Sequence, residues 1–449
     1  MEKIKPEALL IKKILAEQKI VLEKEYVLSN FCLFEKIDFG YLLYNNLTKS
    51  LFILSDEEYC FLKELKYFFP KDNIFIQNLI KNWILVSKDL NQIDLVNQVR
   101  DFAKLLDYKN YIDSFIILPT TGCNARCFYC YEEGTIPIIM DKATAKSVAK
   151  YMINASKGHT IKIIWFGGEP LCNHQAISVI SKELKNANVE YKSVIISNSF
   201  AFDDEIIKGA LEFWNLKSVQ VTLDGLEETY NKIKNFKGNN HNPFKKVISN
   251  IDKLLKSNIK VTVRMNMDKH NAEELFLLVD FLKEKFGNYE KFSVYCHLLF
   301  ESMGTNSIER TESERENISH LYFKLKKHIE ESSLSCDEEV LPTKIKTNHC
   351  MADSKHHNMI LPNGKIGLCE HFVENDYIGD IYSDFVSNPW NEYIDPFESC
   401  YNCASYPDCI LLKKCPDRLH SCFPYEKKEK IDNLKNNMIK YYKDYKEKQ

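Results

Sequence analysis

Cys123, Cys127 and Cys130 stand in the spacing CxxxCxxC within the segment TTGCNARCFYCYEEG, directly after the apolar run Ser114-Phe115-Ile116-Ile117-Leu118. Three thiolates in one short loop suit a four-iron cluster that keeps one iron free of protein ligands. That iron can bind and reduce a substrate. Four-cysteine iron–sulfur and zinc sites instead fill every position. A zinc knuckle short of one ligand, or three unrelated buried thiols, is the alternative. The position of the loop at a strand end, with further motifs downstream in order, favours the cluster.

Four of those further motifs end apolar runs. Trp165-Phe166-Gly167-Gly168-Glu169-Pro170 joins two glycines, which let a backbone approach a ligand closely, to a carboxylate that can meet a cation. Ser197 and Asn198 follow the next run, Asp224-Gly225 the one after, and Arg264 and Asn266 the fifth. A serine or asparagine at a strand end also serves as a plain helix cap.

A second cysteine field begins at Cys350. It continues through Gly364 and Cys369 in the pattern GxxxxC, then Cys400, Cys403, Cys409, Cys415 and Cys422. Zinc takes four ligands per site, and seven cysteines fit one zinc ribbon poorly. Seven also cannot fill two four-cysteine sites. One site must then recruit another ligand, such as His349, His356 or His357, or leave an iron open for a substrate thiolate. Cys32, Cys60, Cys172, Cys296 and Cys336 fall outside both fields and read as small core residues.

The elements that must position these groups alternate in type. Apolar runs at 114–118, 161–166, 193–197, 218–223, 260–266 and 292–297 read as strands. Amphipathic stretches such as 142–154, 204–214 and 272–286 read as the helices between them. Strands joined by crossover helices predict a parallel α/β core, in which active groups come from the C-terminal strand ends. Upstream, residues 26–28, 41–44 and 51–54 are strand-like, with Asn45-Asn46 as a turn. Ser55-Asp56-Glu57-Glu58 reads as a cap and acidic first turn, opening a helix with Leu62 and Leu65 inward. A helix over 76–83 and a strand over 84–86 complete a small winged-helix-like pattern. No internal repeat or low-complexity segment stands out. The stretch 309–316 reads as a connector into a helix.

The 449 residues allow two or three domains, and 45% hydrophobic with 27% charged residues describe an ordinary soluble chain. A formal net charge of -3 gives no footprint for nucleic acid, and the mixed-sign stretch 426–430 reads as a solvated helix face. No run is long and apolar enough to span a bilayer, and the N-terminus lacks a signal-peptide core. Fifteen cysteines without an export signal point to metal or redox chemistry in a reducing compartment, so a cytoplasmic location is expected.

The cluster loop, with Phe128 and Tyr129 before its third cysteine, resembles that of the radical S-adenosylmethionine (SAM) enzymes. The resemblance implies a partial (β/α)6 TIM-like barrel in which Cys123, Cys127 and Cys130 hold the SAM-cleaving cluster. It also implies that Gly167, Gly168 and Glu169 hold the amino group of SAM. Tyr129, Ser197, Asn198 and Arg264 would make further cofactor contacts. The second field resembles the cysteine-rich SPASM extension with two auxiliary clusters, for three 4Fe-4S clusters in all. Carried over, Cys350, Cys369 and Cys415 serve the first auxiliary cluster, and Cys400, Cys403, Cys409 and Cys422 the second. Five residues separate Cys409 from Cys415, where three are usual, so Cys415 and Cys422 could exchange roles.

Within this group the chain resembles the maturases of ribosomally made peptides. The domains implied are a winged-helix-like leader-recognition domain over 1–100, a radical SAM core over 110–330 and a SPASM domain over 340–430. A precursor peptide, held by strand addition to a sheet edge, and an electron donor such as flavodoxin or ferredoxin are the expected partners, with no nucleic acid and no membrane. Thioether crosslinking of a cysteine is the expected reaction. Two rivals remain: an anaerobic sulfatase maturase, which places an aspartate where this chain has Glu370, and a non-catalytic iron–sulfur sensor that binds DNA.

Overall fold

The computed structural model describes all residues except 65, 71–72, 239–241, 300, 302–309, 336–339, 373–376, 384–389, 416–421 and 423. Leu65 and Cys336 therefore lie outside the described residues. The chain divides into two compact units.

The first unit comprises Met1–Tyr108, Glu338–His349 and Glu392–Gln449. Its elements are β1 (Glu2–Lys5), α1 (Leu9–Ile14), β2 (Tyr26–Leu28), β3 (Cys32–Ile37), β4 (Gly40–Asn45), β5 (Ser50–Leu54), α2 (Asp56–Glu64), α3 (Ile74–Lys81), β6 (Leu85–Ser87), α4 (Gln92–Leu106) and a C-terminal helix (Pro424–Glu447). An antiparallel sheet in the order β1-β5-β4-β3 carries apolar side chains on both faces. Leu43, Phe52 and Leu54 pack with Leu62, Leu79 and Ile80 of α2 and α3, while Leu42, Tyr44 and Leu51 pack with Met438 of the C-terminal helix. Both faces are thus covered, which explains the continuous apolar run Tyr41-Leu42-Leu43-Tyr44. β2 and β6 form a separate two-stranded ribbon. The strands at β1 and β3 are additions to the elements expected from the sequence, whose charged and interrupted runs EKIK and CLFEKI carry weak signals.

The second unit comprises Lys109–Asp337 and Cys350–Asn391. It runs β7 (Ser114–Ile117), α5 (Lys142–Ser156), β8 (Ile161–Trp165), α6 (His174–Asn186), β9 (Tyr191–Ser197), α7 (Asp204–Glu212), β10 (Leu216–Thr222), α8 (Glu227–Lys234), α9 (Pro243–Lys256), β11 (Lys260–Met267), α10 (Glu274–Phe286), β12 (Phe292–Leu298), α11 (Glu312–Glu331), β13 (His357–Ile360), β14 (Lys365–Gly367) and β15 (Tyr377–Asp380). β7 to β12 are parallel and neighbours in chain order, each followed by at least one helix, as a partial (β/α)6 barrel requires.

The helices start where the sequence offers caps. Asp141 accepts from Thr144 N, Asp203 from Ile206 N, and Thr311 with Glu314 closes a capping box. Phe115, Ile163, Trp165, Ile195, Val219 and Val261 are all buried between sheet and helices. Among the described residues the sheet does not close on itself: β13 pairs with the free side of β7 in parallel, and β14 and β15 extend it antiparallel. That extension carries the GxxxxC element, with Gly364 in the β13–β14 turn at φ +80.

Candidate active site

The cluster loop leaves the C-terminal end of β7 and is folded back on itself by two threonines. Thr120 Oγ1 donates to Ile138 O at 2.8 Å and Thr121 Oγ1 to Ile136 O at 2.9 Å. The far side of the loop is tied to the end of α8, where Arg126 N donates to Lys234 O at 2.8 Å. Its three thiols line a cavity of about 180 Å³, together with Tyr129, residues 166–169, Ser197, Asn198 and Arg264. Every residue assigned to the SAM-cleaving site from the sequence is therefore brought to one place.

The two glycines after β8 line the cavity and also have a packing reason beside the ligand approach expected. A Cβ on Gly167, at φ +119, would stand 2.3 Å from Thr120 O, and one on Gly168 would stand 2.4 Å from Gly122 O. The close partner is the backbone of the cluster loop itself. Glu169 N donates to Gly122 O at 2.9 Å and fixes the two motifs together.

Glu169 is 1% exposed. Its carboxylate accepts from Ser197 Oγ at 2.7 Å, Asn198 N at 2.8 Å and Leu171 N at 3.1 Å. Ser197 and the Asn198 backbone thus orient the glutamate, and the Asn198 side chain donates to Asn124 Oδ1 at 2.7 Å. A carboxylate offers about four acceptor positions, so one remains for a cation. Burial pushes Glu169 up to about 7, against the three hydrogen bonds and Lys234, which favour its charged form. An ammonium placed beside it would restore the charge.

Tyr129 sits in a buried polar network. It hydrogen-bonds Asp224, receives Lys234 Nζ at 2.8 Å and receives Asn266 Nδ2 at 3.1 Å. Lys234 pairs with Asp224 at 2.8 Å, with neither side chain more than 3% exposed, and also donates to Thr222 Oγ1. Burial works to discharge Lys234, but Asp224 and Cys127 outweigh it and hold the ammonium charged. Burial raises Cys127, which Lys234 opposes, and pushes Cys123 up to about 12 and Cys130 to about 11. Thiolates in such a place need cations next to them. Lys234 is one, and cluster iron would be the other. Among the described residues no three Cys, His, Asp or Glu side chains converge on a point that suits a single metal ion. The ligands of a four-iron cluster stand farther apart, around a body several atoms wide.

Glu132 lines the cavity, and Glu370 lies within electrostatic reach of it. Burial, with Glu370 nearby, pushes Glu132 up to about 8, while burial raises Glu370 against the pull of Arg264. Burial lowers His371 to about 4, and its ring meets Tyr131 edge-on at 4.2 Å. Lys234, Glu132 and Tyr131 were not singled out from the sequence. Lys234 lies in the charged helix EETYNKIK, which reads as a solvated face, and only its fold-given burial distinguishes it.

The second cysteine field divides between the units. Cys350 and Cys369 belong to the second, whereas Cys400, Cys403, Cys409, Cys415 and Cys422 belong to the first. In the first unit Cys400 lies within electrostatic reach of Cys409, Cys403 and Cys422, and Lys430 Nζ stands 3.3 Å from Cys422 Sγ. Of the histidines, His349 Nδ1 meets Ile410 O at 2.6 Å and His356 Nδ1 meets Tyr111 O at 3.3 Å. His357 is buried in β13, where burial lowers it to about 4.

Residues 117–282 match the Radical SAM superfamily. It is 28% identical over 172 residues to the sporulation killing factor maturation protein SkfB of Bacillus subtilis (strain 168), covering 36% of this chain and 37% of that one. It is 26% identical over 237 residues to the Fe-coproporphyrin III synthase of Methanosarcina barkeri (strain Fusaro / DSM 804), covering 51% and 54%. The matched stretch thus spans about half or less of these curated relatives. Native anSMEcpe with bound AdoMet superposes with a TM-score of 0.57 at 15% identity, over 75% of this chain and all of that one. Streptococcus suis SuiB bound to precursor peptide SuiA gives 0.51 at 15% identity, over 88% and 99%. The property shared with these two structures is the fold. No helix among the described residues is long and apolar enough to cross a membrane.

Proposed function

We propose that this protein is a radical SAM/SPASM maturase that modifies a ribosomally made, cysteine-containing precursor peptide, most simply by a thioether crosslink. The observation that carries the reading is the single cavity lined by Cys123, Cys127, Cys130, Gly167, Gly168 and Glu169. When bound, SAM and the clusters supply a 5′-deoxyadenosyl radical and a redox centre that takes up the electron left when carbon and sulfur join. The protein's own groups bind and orient. Glu169 takes the methionyl amine, Arg264 meets the carboxylate, and Tyr129, fixed by Asp224 and Lys234, walls the site. Bound SAM and peptide would together have to keep water and stray hydrogen donors from the radical.

The auxiliary clusters proposed are one served by Cys350, Cys369 and Cys415 and one by Cys400, Cys403, Cys409 and Cys422. SkfB, a maturation protein by name, and the SuiB–SuiA complex support a peptide partner for this chain too. The peptide's leader would add to an edge of the sheet β1-β5-β4-β3. Flavodoxin or ferredoxin is the proposed electron donor and the cytoplasm the proposed compartment. The three domains, over 1–100, 110–330 and 340–430, remain part of this proposal.

Thioether formation removes one hydrogen from carbon and one from sulfur. Mass spectrometry of a cysteine-containing precursor peptide after turnover should show a product lighter by two hydrogens, with its cysteine unreactive to alkylation. A modified product whose cysteines all still alkylate contradicts thioether chemistry and leaves a carbon–carbon crosslink or epimerisation.

A further inference from the structure

The loop that carries Cys400, Cys403 and Cys409 is short of regular structure: two single-turn helices, at Glu398–Cys400 and Tyr406–Asp408, and no strand between them. Local turns satisfy the carbonyls of Cys400, Cys403, Ser405 and Tyr406, and those of Tyr401, Ala404, Pro407 and Cys409 take donors from elsewhere. They come from residues far away in the chain but in the same unit. Arg100 of α4 donates one guanidinium nitrogen to Tyr406 O at 2.7 Å, Pro407 O at 3.0 Å and Cys409 O at 2.9 Å. Asn46 Nδ2 donates to Ala404 O at 2.8 Å and Asn30 Nδ2 to Tyr401 O at 2.8 Å. Lys49 Nζ meets Asp408 Oδ1 at 2.6 Å and Asn46 Oδ1 at 2.8 Å.

Two of these are cations where cations are costly. Arg100 is 7% exposed and Lys49 has no exposed surface. Lys49 also adopts φ +63 in the β4–β5 turn, a left-handed backbone that glycine or asparagine takes at lower cost. A lysine kept there, with its ammonium wholly buried, is explained by what its head group holds. Among the described residues Asp408 is the one acidic side chain that pairs with either of these two buried cations. It holds the Lys49 charge against burial, so the inner side of the loop carries more positive than negative groups. Iron held by four thiolates is a net anion and would offset that excess.

Resting on the reading of Cys400, Cys403, Cys409 and Cys422 as one auxiliary cluster, we propose that Arg100 and Lys49 are its positioning residues. They fix the cysteine loop to the N-terminal sheet and α4, and they supply the positive charge against which the cluster sits. The N-terminal segment, on this account, is part of the cluster's housing as well as a peptide-binding module.

The test uses the full chain, reconstituted with iron and sulfide, in three variants: Arg100→Gln, Arg100→Lys and Cys403→Ser. Far-UV circular dichroism checks that each folds, and the readouts are bound iron and the rate of its loss to a chelator. Cys403→Ser should cost up to about one third of the iron, the share of one four-iron cluster among three. Arg100→Gln should release that same fraction on the order of tenfold faster, because several charge-assisted bonds are lost together. Arg100→Lys, which keeps the charge but loses the fork, should fall between Arg100→Gln and the unchanged chain. If Cys403→Ser loses iron while folded Arg100→Gln holds it as tightly as the unchanged chain, the positioning role is wrong and the cluster reading stands. If Cys403→Ser holds full iron with unchanged kinetics, the cluster reading fails and takes the positioning role with it.

Discussion

Glu169 is the residue on which the proposed cofactor binding turns most directly. Three protein donors already orient its carboxylate, so replacing it with glutamine keeps the shape and removes the charge that an amine needs. Glu169→Gln should weaken SAM binding by on the order of tenfold or more with its iron intact, the usual worth of a charge-assisted bond. Isothermal titration of the reconstituted protein measures this, and an unaltered affinity would reduce Glu169 to a turn residue. Lys234 makes a different prediction. Lys234→Met leaves Asp224 buried without its counter-charge, and breaking such a pair costs about 3–5 kcal/mol. A clear drop in the thermal unfolding midpoint is expected, partly restored when Asp224→Asn is added. The contrast between the two residues shows what was legible in the sequence. Glu169 announced itself through a local pattern, GGEP after a strand. Lys234 acquires its role only because α8 folds back over the cluster loop, and no short-range pattern encodes that.

Among elements, the turn after β8 matters because two loops share it. Gly168→Ala would put a methyl group 2.4 Å from Gly122 O, so the cluster loop must shift. Bound iron at the barrel site should fall, as read by iron analysis and visible absorption. Gly209 of α7 has nothing within 4 Å of its missing Cβ, and Gly209→Ala should leave iron unchanged and stabilise slightly, by up to about 1 kcal/mol. The six barrel strands were readable because each carries closely spaced buried apolar residues between amphipathic helices. β13 to β15 were not, since three or four residues each, beside the glycine turn at Gly364, leave too little periodicity. β1 and β3 escaped for a related reason: a charged or interrupted run finds its partner strand only through tertiary pairing. The helix over 76–83 begins at Ile74, two residues earlier than expected, because Asn73 accepts from Ile76 N and caps it.

At the scale of the whole molecule, the account rests on two cysteine fields with separate duties: one that cleaves SAM and one that carries auxiliary clusters. The three cysteines of the first were legible as a group, since their spacing is local, and all three line one cavity. The second was legible as a field, but its cysteines divide between the two units, so pairing by spacing alone could not assign them. One measurement separates the duties. Cys123, Cys127 and Cys130 are replaced together by alanine, the protein is reconstituted with iron and sulfide, and 5′-deoxyadenosine formation from SAM is followed under reducing conditions alongside bound iron. The account predicts that 5′-deoxyadenosine formation is abolished while iron stays bound at the downstream cysteines. Undiminished SAM cleavage in the triple variant would contradict it.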